Sequence, residues 1–360
     1  MDKRLNHKYD SLQKLAKTFI GYPCNEKFSY EALFRFMSMP LNNVGDPWGP
    51  SNYQMNTHDF EREVITYFAK LYDSAIDYWG YINNGGSEGN LCGLVVARQR
   101  YPEGIVYYSR HSHYSVAKAV RLTGVQAVEV PVDSYGEMNY AKLGAAISQH
   151  PGKPAIIMAN IGTTMTGAID DVHLIRAGLE AMGVTEYYIH CDGALHGLIL
   201  PYTQSKKRFT LEHVHSVSIS GHKFIGSPIP CGVFLARKEI IDQQKNYIEY
   251  IHIHDCTITG SRNAITPLML WSVLIGKGYA DWSQEVKDCL ENTQYAVDTL
   301  VNHGIRAWAN PDSNIVVFPK PRSEMVERWQ LACYEGMGHI VVMPHVDKAM
   351  IDRFIDEMVE

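Results

Sequence analysis

Lys223 stands in the stretch SVSISGHKFIGSPIPCG, among Ser, Gly, His and Pro rather than among the charges of an exposed helix face. An amine in such a place becomes a nucleophile once its ammonium is partly desolvated or crowded by positive charge. Ser220 and His222 beside it offer a hydroxyl and an imidazole that could hold an anion; the plainer alternative is a lysine that braces a turn. Upstream, in YYIHCDGALHG, Asp192 closes an apolar run. A carboxylate there is costly unless something cationic or hydrogen-bonding meets it. A protonated ring nitrogen, an arginine or a buried water network would each serve.

Two further stretches carry chemistry. In SRHSHYSVAK, His111 and His113 are two residues apart, with no obvious third ligand to complete a metal site. A flat imidazole can instead stack on a planar ligand, or be an ordinary loop histidine. In NNGGSEGN, residues 83–90, Gly86 and Ser87 open a helix, where free N–H groups, the helix dipole and a hydroxyl form an anion cradle. A simple strand–helix turn with Ser87 as its N-cap is the competing reading. Taken together, an anion cradle, a stacking ring, a carboxylate for a ring nitrogen and an amine for an aldehyde describe pyridoxal 5′-phosphate as cofactor.

These groups need a scaffold that gathers distant segments. From HDFEREVITYFAKLYD onward, short apolar runs alternate with helical patterns: YWGYIN, GIVYYS, VQAVEVPV, PAIIMANIG, YYIHCD, SVSIS and GVFLAR read as strands. Such alternation predicts an α/β fold with a mostly parallel central sheet, whose ligands collect beyond the carboxyl ends of the strands. Every stretch named above falls at such an end. We expect an N-terminal arm over 1–50, a large cofactor-binding domain over 51–275 and a smaller C-terminal α/β domain over 276–360. The second of these is expected to pass into the third through a long helical stretch broken at Gly276–Gly278.

Composition narrows the class. A net charge of −6 without clustered Lys and Arg argues against nucleic-acid or membrane partners. Seven scattered cysteines, never in a C-x-x-C arrangement, argue against a disulfide framework or a structural zinc site and fit a reducing compartment. The opening MDKRLNHKYDSLQK lacks the apolar centre of a secretory signal, so a cytoplasmic enzyme is expected.

YWGYINNGGSEGN, SHYSVAK, ANIGTTMTGAIDD, YYIHCDGAL, ISGHKFIGSPIPCG and TITGSRNAITPL, spanning residues 79–268, resemble the pyridoxal-phosphate group II amino-acid decarboxylases, and most closely their bacterial histidine decarboxylase branch. The resemblance implies the fold type I, aspartate-aminotransferase-like architecture and a homodimer with shared active sites. It implies that Lys223 carries the cofactor, Asp192 pairs with the ring nitrogen, His113 stacks on the ring and Ala194 packs on the other face. It assigns the phosphate to Gly86, Ser87, Ser220 and His222, and places Thr164 by the ring substituents with Asp170 beside it. Ser261, in GSRN, would reach the partner's site. Tyr247 and Tyr250, in QKNYIEYIHIHDC, join Lys223 and His113 as candidate proton donors.

The implied reaction is decarboxylation of an L-amino acid, L-histidine to histamine first, with serine or aspartate as alternative substrates and an aminotransferase as the competing class. The chain departs from the branch at Gly193, His196, His252, Cys256, Ala264 and Ile265. Those positions are expected near the substrate side chain.

Overall fold

The computed structural model describes residues 2–243 and 245–360. Its centre is a seven-stranded sheet in the order Tyr78–Asn83, Gly232–Arg237, Ser216–Ser220, Tyr187–Asp192, Ala155–Asn160, Ile105–Ser109, Ala127–Val130. The last five strands of that order run parallel. Gly232–Arg237 is antiparallel to both its neighbours. The parallel strands are covered on both faces, which is why AIIMAN and YYIHCD are apolar almost throughout.

Alternate side chains feed two cores. Ile157, Ile189 and Val217 enter the larger one. Ile156, Met158 and Tyr188 turn to the other face and join Trp79 and Phe234. Asp171 caps its helix by accepting from the N–H groups of His173 and Leu174, and Asn139 caps the preceding one through Lys142 N–H.

Ile265–Gly276 and Tyr279–Asn302 are separate helices, divided where the glycines predicted a break. A three-stranded antiparallel sheet of Ile315–Pro319, Met337–Val341 and Ala332–Tyr334 follows, with the helix Lys348–Val359. Trp282, Leu300 and Val316 belong to the same buried cluster as Ile189 and Val217, so one apolar core runs through both parts of the chain.

The arm holds more structure than its turn-rich sequence suggests. It contains the 14-residue helix Lys3–Ala16 and a 3-10 segment, Glu31–Ser38. Between them, Asn25 Nδ2 donates to the Phe224 carbonyl at 2.9 Å and Tyr30 Oη to the Gly226 carbonyl at 3.2 Å. The arm therefore clamps the turn that carries Lys223.

Candidate active site

A cavity of about 350 Å³ opens at the carboxyl ends of the parallel strands. Lys223 reaches it from a tight turn over Gly221–Ile225, where its own backbone leaves helical geometry at φ −98°, ψ −112°. Burial pushes its ammonium below the ordinary lysine value, with Asp192 and Cys24 pulling the other way. A lysine shifted in that direction has more free amine at neutral pH.

Asp192 ends its strand and is 7% exposed. Its Oδ2 accepts from Asn90 Nδ2 at 2.7 Å and its Oδ1 from the Ala194 N–H at 3.2 Å. Among the described residues no arginine meets it, and it lines the cavity, so a cation arriving there would be its partner.

His113 is the N-cap of Tyr114–Thr123, its Nδ1 2.8 Å from Ser115 Oγ. Burial pushes its imidazole towards the neutral form. His111 lies elsewhere, its ring edge-on to Tyr334 at 6.4 Å in a second cleft.

The glycine turn forms one wall. Gly85 has φ +130°, a conformation that favours glycine, and Gly86 starts the helix Gly86–Arg100. Gly86 N–H donates to Ser220 Oγ at 3.2 Å. A Cβ on Gly86 would sit 2.9 Å from Ser220 Oγ and 3.2 Å from the Ala194 methyl, filling the space beside the helix N-terminus. His222 Nδ1 lies 2.9 Å from the Cys231 carbonyl and accepts from the Cys231 N–H at 3.3 Å, leaving Nε2 for a ligand. Ser87, Thr164 and Ala194 line the same cavity. An open cradle at a helix start, an amine and a buried carboxylate fit a phosphorylated aromatic aldehyde with a basic ring nitrogen.

Asp170 does not line the cavity. It is fully buried and holds Asn160, which does. Tyr247 and Tyr250, 54% and 85% exposed, and the exposed Ser261 also lie outside the lining of this chain's cavity. None of Gly193, His196, His252, Cys256, Ala264 and Ile265 lines it either. Asp192, Ala194 and Leu195 beside the first two do line it, but His196 itself is fully buried against Gly162, Ala264 is 2% exposed among packed neighbours, and His252 is exposed.

Other lining residues escaped sequence reasoning. Asn90 stands one helical turn after Gly86, and Asn160 ends a strand as Asp192 does, so spacing and the strand-end rule could have found both. The remaining wall combines the arm, Gly21, Tyr22 and Pro23, with Ile315, Ala332, His339 and Val341. His339 joins the two parts, its Nε2 3.1 Å from the Gly21 carbonyl and its Nδ1 3.0 Å from that of Met165.

Known proteins resemble this chain over most of its length. The pyridoxal-dependent decarboxylase conserved domain matches residues 75–318. A histidine decarboxylase of Pseudomonas entomophila (strain L48) is 43% identical over 349 residues, 94% of this chain and 86% of that protein. Serine decarboxylase 2 of Oryza sativa subsp. japonica is also 43% identical, over 97% of this chain and 76% of its own. Among solved structures, L-methionine decarboxylase from Streptomyces sp. 590 superposes with a TM-score of 0.91 at 26% identity, covering 100% of this chain and 95% of that one.

Proposed function

The chain belongs to the pyridoxal-dependent decarboxylase family, and from that premise we propose that it decarboxylates L-histidine to histamine and carbon dioxide. Its fold is type I, its cofactor is pyridoxal phosphate, and its substrate is an amino acid. Bound there, the cofactor supplies a conjugated cationic ring that takes up the electron pair left when carbon dioxide departs. The carrying observation is that Lys223, Asp192 and His113, from three separate strand ends, face one cavity.

In this reading the Lys223 amine would hold the cofactor at its aldehyde end. Asp192 keeps a proton on the ring nitrogen, and Asn90 steadies the carboxylate. Gly86, Ser87, Ser220 and His222 would hold the phosphate, and His113 and Ala194 would hold the ring. Thr164 supports the ring substituents, and Asp170 acts through Asn160.

For the substrate side chain, Pro23, Ile315, Ala332 and Val341 offer an apolar wall beside Tyr22, suited to a flat ring. Among the described lining residues Asp192 and Lys223 are the only carboxylate and ammonium, and there is no guanidinium. A second carboxylate on the substrate would lack a partner, which disfavours aspartate. Serine is the second reading, favoured by the equal identity of the serine decarboxylase relative.

We further propose a cytoplasmic homodimer in which Ser261, Tyr247 and Tyr250 serve the partner's site, since all three lie outside the cavity of their own chain. The exposed Leu5, Leu12, Leu15, Phe34 and Met37 of the arm give such a dimer an apolar surface to bury. The test is carbon dioxide release from a panel of amino acids by purified holoenzyme. Histidine is expected to give the highest kcat/KM; higher turnover of serine would move the assignment to the second reading, and release from neither would refute both. An active monomer in sedimentation would refute the shared site.

A further inference from the structure

Asn90 lies between two side chains of the site and a buried histidine that no sequence motif singled out. Asp192, as a carboxylate, only accepts, so the Asn90 atom 2.7 Å from its Oδ2 is the amide nitrogen. Asn90 Oδ1 then faces His190 Nε2 at 3.0 Å and can only accept from it. His190 is fully buried, and burial holds it neutral, its pKa pushed down to about 4. Its Nδ1 is therefore a lone pair and accepts from Ser216 Oγ at 2.7 Å. Ser216 Oγ in turn accepts from Tyr188 Oη at 2.9 Å.

Directionality continues towards the cavity. The second hydrogen of Asn90 Nδ2 points to Ser115 Oγ at 3.3 Å, which leaves the Ser115 hydroxyl hydrogen for His113 Nδ1 at 2.8 Å. The Ser115 backbone N–H, which cannot accept, also lies 3.3 Å from that nitrogen. Two donors on one ring nitrogen leave it no room for a proton of its own. The proton of neutral His113 is confined to Nε2.

We propose that Tyr188, Ser216, His190, Asn90 and Ser115 form a one-way hydrogen-bond chain whose function is to present His113 to the substrate as an N–H donor and never as a base. Asn90 is its hub and a positioning residue, because the same amide group also steadies Asp192. This inference rests on the decarboxylase reading and adds a reason for its reaction specificity. Transamination and racemisation begin with removal of the Cα proton. An imidazole whose cavity-facing nitrogen already bears hydrogen has no lone pair with which to take that proton. It can still donate a hydrogen bond to a substrate carboxylate.

The test uses holoenzyme labelled with ring ¹⁵N-histidine, the His113 signals being assigned by their loss in His113→Asn. The expected spectrum shows His113 Nδ1 unprotonated and Nε2 protonated, with no substrate added. Ser115→Ala and Asn90→Ala should each give the other tautomer a measurable share, and Ser115→Thr, which keeps the hydroxyl, should restore the parent pattern. In D₂O, deuterium entry at Cα of unreacted amino acid, relative to carbon dioxide release, should rise about tenfold in the two alanine variants. A protonated Nδ1 in the parent protein would overturn the proposal. So would alanine variants in which both the tautomer and the deuterium entry are unchanged. The ring spectrum needs no turnover, so it judges the chain even if the amino-acid panel refutes the decarboxylase reading.

Discussion

Asp170 is the site's other buried carboxylate, and it meets its environment differently from Asp192. Its Oδ2 accepts from Asn160 N–H at 2.7 Å and from Asn160 Nδ2 at 2.9 Å, and its Oδ1 from Met138 N–H at 2.8 Å. Burial pushes its pKa up to about 6 in spite of those donors. The sequence resemblance puts this aspartate beside Thr164; it stands one layer behind the cavity wall, fixing Asn160, whose Nδ2 also reaches Ser109 Oγ at 3.0 Å. Asp170→Ala would leave several buried donors without an acceptor, each costing about 1–3 kcal/mol. We expect a loss of about 2–4 kcal/mol in urea unfolding, together with weaker binding of pyridoxal phosphate. A stability within about 0.5 kcal/mol of the parent, the scatter of ordinary surface changes, would show that the donors find other partners.

Elements are set by contacts that span the chain. Arg262 and Glu61, both buried, form an ion pair that joins the helix His58–Leu71 to the short strand Ser261–Arg262. Arg262 also donates to the carbonyls of Ile82, at 2.9 Å, and Gly45, at 2.7 Å, and lies over the Tyr81 ring at 5.3 Å. Glu61 accepts from Ile82 N–H and Asn43 Nδ2, each at 2.7 Å. Arg262→Met should destabilise by about 3–5 kcal/mol because Glu61 stays buried and charged. Adding Glu61→Gln, which removes the charge, should recover at least half of that loss in the same unfolding experiment. No recovery would mean that Arg262 acts through its backbone contacts alone. This pair shows why the elements were easier to read than their joints. The central strands and the helix starts follow from apolar runs, Asx caps and glycine turns, all local signals. Asn25 on Phe224, Tyr30 on Gly226 and Glu61 on Arg262 join residues far apart in sequence, and nothing local encodes their meeting. Lys223, Asp192 and His113 were legible because each ends or follows a strand; Ser115 and His190 were not, because their significance lies in which way their hydrogens point.

At the scale of the whole molecule, the number of neutral buried histidines sets its response to acid. His190, His196 and His215 are each at most 9% exposed. Burial is the first cause in every case, lowering His190 to about 4 and His196 and His215 to about 3. The unfolded chain would protonate them near 6.5. Between the unfolded and folded values the unfolded state holds more protons, so stability is complete above about pH 6.5 and falls as the pH drops. At pH 4 each histidine has withdrawn about 3 kcal/mol. Asp170 works the other way: its raised folded value adds stability below its unfolded value near 3.9 that is lost as the pH rises through about 6. It offsets about 2 kcal/mol of the acid loss. A net deficit of about 7 kcal/mol is comparable to the whole stability of a typical fold. Circular dichroism on holoenzyme should therefore show cooperative unfolding between about pH 5 and 4, and a chain still folded at pH 3 would mean that these imidazoles titrate normally.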